Sequence, residues 1–152
     1  MRNLGSRSAV LGVVVLATAG LAHADAPVMG KYEAKFEQIG NNCEHSITYP
    51  ARGIVKIEVK GGDLQVDIER TPLMIGKPRK DGKINAKSRL GHTAVDGMDG
   101  VFTVAGRVTP EDGMLSLTLI GEYQTGGKPL CTQSWSLSGL RAQPDEPPRP
   151  KR

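Results

Sequence analysis

Apolar and polar residues alternate along most of the chain, and the alternation predicts strands. In residues 31–39, Tyr32, Ala34 and Phe36 fall on one face, with Glu33, Lys35 and Glu37 on the other. A period of two of this kind marks a strand with one buried and one solvated face. The clearest case is residues 53–70, where Val55, Ile57 and Val59 interleave with Lys56, Glu58 and Lys60. Gly61-Gly62-Asp63 then turns the chain into Leu64, Val66 and Ile68, set between Gln65, Asp67 and Glu69. This reads as a β-hairpin. Leu73-Met74-Ile75 predicts a short strand, and Ile84, Ala86 and Ser88 share the inner face of another after the Asp81-Gly82 turn. A glycine-rich loop, 91–100, follows.

Three longer strands complete the chain. Residues 101–108 place Phe102, Val104 and Val108 on one face, and 114–123 place Leu115, Leu117 and Leu119 inward. Residues 130–140 direct Cys131, Trp135 and Leu137 inward, with Thr132, Ser134, Ser136 and Ser138 outward. No stretch after the first segment keeps a helical period. About eight strands joined mostly by short turns predict an all-β, antiparallel up-and-down meander. It is expected to close into a small β-barrel, with a β-sandwich as the alternative. With Gly30-Lys31-Tyr32 opening the first strand, this architecture resembles the small exported barrels of the lipocalin and avidin type. The resemblance implies a barrel; it does not carry a function.

The ends of the chain read differently. Arg2 and Arg7 give a positive start ahead of the apolar run 9–21, and Ala22-His23-Ala24 forms a small-x-small cleavage site. Residues 1–24 are therefore expected to be a signal peptide, residues 25–142 the barrel domain, and 143–152 a Pro-rich disordered tail. The apolar run is too short for a spanning helix. The expected product is exported, periplasmic or secreted, soluble after cleavage and monomeric.

Composition narrows the chemistry. Of 152 residues, 38% are hydrophobic, which argues against a wholly disordered chain. The formal net charge is +4, but Arg2 and Arg7 leave with the leader, which weakens any case for nucleic acid. Cys43 and Cys131 are the two cysteines, and in an oxidising compartment they are expected to pair. Parity supports this: in a closed eight-strand meander both lie at the same rim. The pairing uses up the thiol of the Asn42-Cys43-Glu44-His45 cluster, and no nucleophile elbow or metal-ligand spacing occurs elsewhere. His92 and the Asp96-Gly97-Met98-Asp99 segment read as loop chemistry. The reading is accordingly no enzyme, no metal and no cofactor.

Two functions remain. The first is binding of a small apolar ligand in the barrel, contacted by Tyr32, Phe36, Phe102 and Trp135. The alternative is an envelope or secreted protein–protein interaction module, such as an inhibitor. For that reading Lys77, Arg79, Lys80, Lys83, Lys87 and Arg89 form a candidate basic surface, with Asp81 as the sole acid among them.

Overall fold

A computed structural model describes residues 28–143. The expected signal peptide and all of the expected tail except Gln143 lie outside the described residues.

Nine antiparallel strands form one sheet: β1 (Gly30–Asn41), β2 (Arg52–Lys60), β3 (Asp63–Ile68), β4 (Met74–Gly76), β5 (Lys83–Ser88), β6 (Gly91–His92), β7 (Asp99–Thr109), β8 (Met114–Thr125) and β9 (Lys128–Arg141). Neighbours along the sheet run β5-β4-β3-β2-β1-β9-β8-β7-β6, and β5 also pairs with β7. That last pairing closes a ring of hydrogen bonds through eight strands, so the meander is barrel-like, as its pattern predicts. The ninth strand, β6, is a two-residue spur paired only with the start of β7, at Gly91↔Gly100 and His92↔Asp99. The glycine-rich loop of the sequence thus contains a small hairpin.

Turn chemistry sets the register. Between β2 and β3, Lys60 pairs with Asp63, leaving Gly61 and Gly62 as a two-residue turn with φ of 57° and 81°. Both positions need a left-handed backbone, which glycine adopts without steric cost. On β1 the register slips between Gln38 and Gly40. This bulge carries the strand's end across β9, where Asn41 pairs with Gln133.

Inward positions make one core. It runs from Tyr32, Ala34 and Phe36 on β1 through Val55, Ile57, Leu64, Val66, Ile68, Met74, Ile84, Phe102, Val104, Leu119 and Leu137, all buried. Cys43 and Cys131 form the expected disulfide, with Cα atoms 5.1 Å apart. An oxidised pair fits a compartment outside the cytoplasm. Among the described residues no helix is long and apolar enough to cross a membrane.

Candidate functional site

Tyr32, Phe36, Phe102 and Trp135 all point inward, as their strand parity requires. Their surroundings decide what they can do. Tyr32 sits at the end of the interior where β1 begins. Its hydroxyl donates to the Val28 carbonyl at 2.6 Å and accepts from Arg141 Nη2 at 3.0 Å. The same guanidinium lies 5.5 Å from the centre of the Tyr32 ring, a cation–π contact. Strand β9 thus folds its last charged side chain over the first aromatic of β1 and caps that end.

The opposite end is capped by the connection between β1 and β2, residues 42–51. Ile47 from this segment is buried, although it lies on no strand. Its amide donates to Gln133 Oε1 at 2.9 Å, and Gln133 Nε2 donates back to its carbonyl at 3.1 Å. Gln133 points inward from β9 and is only 1% exposed. A buried primary amide needs partners, and Ile47 supplies two. Tyr49 follows. It stacks on Phe36 with ring centroids 5.3 Å apart and meets Trp135 edge-on at 4.9 Å. Two of the four expected ligand contacts are therefore occupied by an aromatic side chain of the protein itself.

Phe102 packs edge-on against Tyr123, 5.8 Å between centroids. Gly121 makes room for that ring, since a Cβ there would stand 2.6 Å from Tyr123 Oη. The Tyr49 and Tyr123 hydroxyls are both buried and have no hydrogen-bond partner among the described residues. Leaving a buried polar group unpaired costs about 1–3 kcal/mol. Burial pushes both phenols well above their ordinary pKa, with Arg70 partly offsetting the rise at Tyr49 and Tyr49 adding to the rise at Tyr123. Of the expected ligand contacts, Phe36 borders a cavity of about 10 Å³, the space of a single water at most.

Larger clefts open on the outside. One of about 410 Å³ lies at the disulfide rim, between Glu44 and His45 on one side and Val95, Asp96 and Met98 on the other. Cys43 is locked in the disulfide, so the Cys43–His45 neighbourhood offers no thiol nucleophile. His92 Nδ1 lies 2.7 Å from Asp99 Oδ1 on an exposed edge. Among the described residues, no three His, Cys, Asp or Glu side chains gather as metal ligands.

A second outer cleft, about 700 Å³, runs over β4 and β5. Pro72, Leu73, Ile75 and Leu90 line it with Lys87, Arg89 and Ser88, and with Asp63, whose carboxylate is paired to Lys77. Leu73, Ile75 and Leu90 are 43%, 45% and 50% exposed. Pairing explains the layout, because Ile75 lies opposite Lys87 across the β4–β5 ladder and both point outward. The rest of the candidate basic surface continues to the β4–β5 turn. There Lys77 meets Asp63 at 2.6 Å, and Arg79 binds both oxygens of Asp81 at 3.2 and 2.9 Å. The Arg79 guanidinium, helped by the Lys83 amide, holds the Asp81 carboxyl below its usual range. Lys80, Lys83, Lys87 and Arg89 have no carboxylate at ion-pair distance among the described residues. Lys83 also faces Arg107 across the β5–β7 ladder, so like charges stand side by side.

No family model matches the chain, and no curated protein or solved structure matches it. The resemblance to lipocalins and avidins therefore rests on the ring of strands and the Gly30-Lys31-Tyr32 opening alone. Sequence reasoning reached the basic stretch and the four inward aromatics. It missed Ile47, Tyr49 and Gln133, which cap the interior, and Leu73 and Leu90, which give the basic face its apolar floor. Isolated apolar residues in a connection leave no periodic trace. Gln133 did carry a signal: it sits at the inward parity of β9, between Cys131 and Trp135.

Proposed function

We propose that the chain is an exported, non-catalytic interaction protein that docks an acidic, partly apolar protein segment on the outer face of β4 and β5. The observation that carries this reading is the adjacency of Leu73, Ile75 and Leu90 to Lys87 and Arg89 in one cleft. Exposed aliphatic side chains supply contact area, and cations without acidic partners attract a complementary surface and orient it. The cleft is open, whereas small-molecule sites enclose most of their ligand, so its shape favours a macromolecular surface. Export rests on the Arg2 to Ala24 leader pattern together with the disulfide. Intact mass of protein recovered from the envelope or medium should begin at Asp25; retention of Arg2 and Arg7 would remove the export reading.

Docking is tested with a labelled peptide of alternating Leu and Glu, followed by anisotropy, with polyglutamate as the comparison. Lys87→Glu with Arg89→Glu should weaken Leu–Glu binding at least about tenfold, a change of roughly 1.4 kcal/mol. Leu73→Ser with Leu90→Ser should weaken it while leaving any polyglutamate binding in place. Equal affinity for wild type and both double variants would overturn the proposal.

A further inference from the structure

The segment that caps the disulfide end is held differently from the strands around it. Its fastenings are Asn41 Nδ2 donating to Ser46 Oγ at 2.6 Å, the Gln133 pair to Ile47, the Arg70 guanidinium donating to the Thr48 carbonyl at 2.7 Å, and the Phe36 amide donating to the Ala51 carbonyl at 2.9 Å. The Cys43–Cys131 bond anchors its beginning. Residues 44–50 join no strand ladder, so they can swing outward without breaking one. Their departure would uncover the Phe36 and Trp135 rings, the Gln133 amide and the way to Tyr123. Those groups have the composition of a ligand site: aromatic walls with a few convergent polar atoms.

The polar atoms sharpen this. Tyr123 is 3% exposed, yet its hydroxyl has no partner among the described residues, and the Tyr49 hydroxyl is buried in the same condition. Unpaired buried hydroxyls are uncommon and call for an explanation. Tyr49 fills the aromatic slot but satisfies neither its own hydroxyl nor that of Tyr123. It behaves as an imperfect resident.

We infer that residues 44–50 form a displaceable lid whose Tyr49 occupies a binding site for a small planar, largely apolar molecule bearing one hydroxyl or carbonyl group. The incoming ring takes the stacked and edge-on positions now held by Tyr49, and its polar group pairs with the Tyr123 hydroxyl, which has no partner among the described residues. Opening the lid lowers the apparent affinity by the fraction of molecules that are open. This site is separate from the outer β4–β5 face, and either can fail without the other.

p-Cresol, which reproduces the Tyr49 side chain, and toluene, which lacks the hydroxyl, are the probes. The full exported chain contains a single tryptophan, so the indole N–H signal of Trp135 reports the site in an NMR titration. Wild type should bind p-cresol saturably and about fivefold more tightly than toluene, the worth of one hydrogen bond. Tyr123→Phe should erase that preference while leaving toluene binding unchanged. p-Cresol should also accelerate hydrogen exchange at the Ile47 amide without affecting the β8 amides. Three results would overturn the inference: no binding by wild type, binding only by Tyr49→Ala, which creates the space itself, or binding that leaves Ile47 exchange unchanged.

Discussion

Replacing Cys43 by Ala and Cys131 by Ser removes one covalent bond and leaves the surrounding pairing intact. Strands β1 and β9 still meet at Asn41↔Gln133. Just beyond, the Asn42 amide donates to the Thr132 carbonyl at 3.2 Å, and the Thr132 amide donates to Asn42 Oδ1 at 2.7 Å. The native rim therefore survives, and the loss falls on the unfolded state, which gains freedom. The bond spans a sequence separation of 88 residues. For that loop the chain-entropy relation gives a loss of about 4.6 kcal/mol at 25 °C. Domain stabilities run to about 5–15 kcal/mol, so the variant should fold but with little margin. At a urea slope of about 1.5 kcal/mol/M, the midpoint should fall by about 3 M with the slope unchanged or slightly increased. Amide shifts of β1 and β9 should match wild type away from the rim. A loss below about 1 kcal/mol would refute the loop-entropy reasoning, because it would mean the unfolded chain holds its two ends together without the bond. A large loss with wholesale shifts in β1 and β9 would refute the claim that the rim is self-supporting.

Two further perturbations test the packing. Gly106 has φ of 154°, and a Cβ there would collide with the Ser116 carbonyl on β8, so Gly106→Ala should cost about 1–3 kcal/mol in a urea titration; an unchanged midpoint would show that the β7–β8 contact is looser than described. Tyr49→Phe and Tyr123→Phe each remove an unpaired buried hydroxyl and should raise stability near neutral pH by about 1 kcal/mol or more. The two phenols also set an alkaline limit: their pKa values are raised by burial, so their contribution is complete below pH 10, the ordinary phenol value, and is lost above it as the unfolded phenols ionise first. Urea midpoints at about pH 8 and about pH 11 should therefore fall less in the double Phe variant than in wild type; equal falls would contradict that assignment.

The sheet was legible wherever one face is buried and the other wet. Val55 to Ile68 alternates without a fault, and Lys60↔Asp63 around two glycines is the pairing such a turn demands. The disulfide followed from topology, because the final strand, eighth in the ring once the β6 spur is set aside, runs antiparallel to β1 and begins at the rim where β1 ends. Strand β6 was hidden, since two residues cannot show a period, and its pairing depends on where β7 begins. The bulge at Gln38/Gly40 was hidden as well, and it shifts the inward set of β1 relative to β9. The aromatic positions were correctly placed inward, but their freedom to meet a ligand depends on residues 42–51, where Ile47 and Tyr49 are single apolar side chains without a pattern. Likewise the cations of residues 77–89 were visible, whereas their union with Leu73 and Leu90 required the β3–β4–β5 ladder to bring both ends of the segment to one face.

The outer face of β4 and β5 is the proposed working surface. A ¹⁵N chemical-shift map of the protein titrated with the Leu–Glu peptide tests it most directly. Perturbations should concentrate on Leu73, Ile75, Lys87, Arg89 and Leu90 and fade as salt rises from about 50 to about 500 mM. Perturbations confined to the disulfide rim around Glu44, His45 and Asp96, or none at saturating peptide, would contradict it.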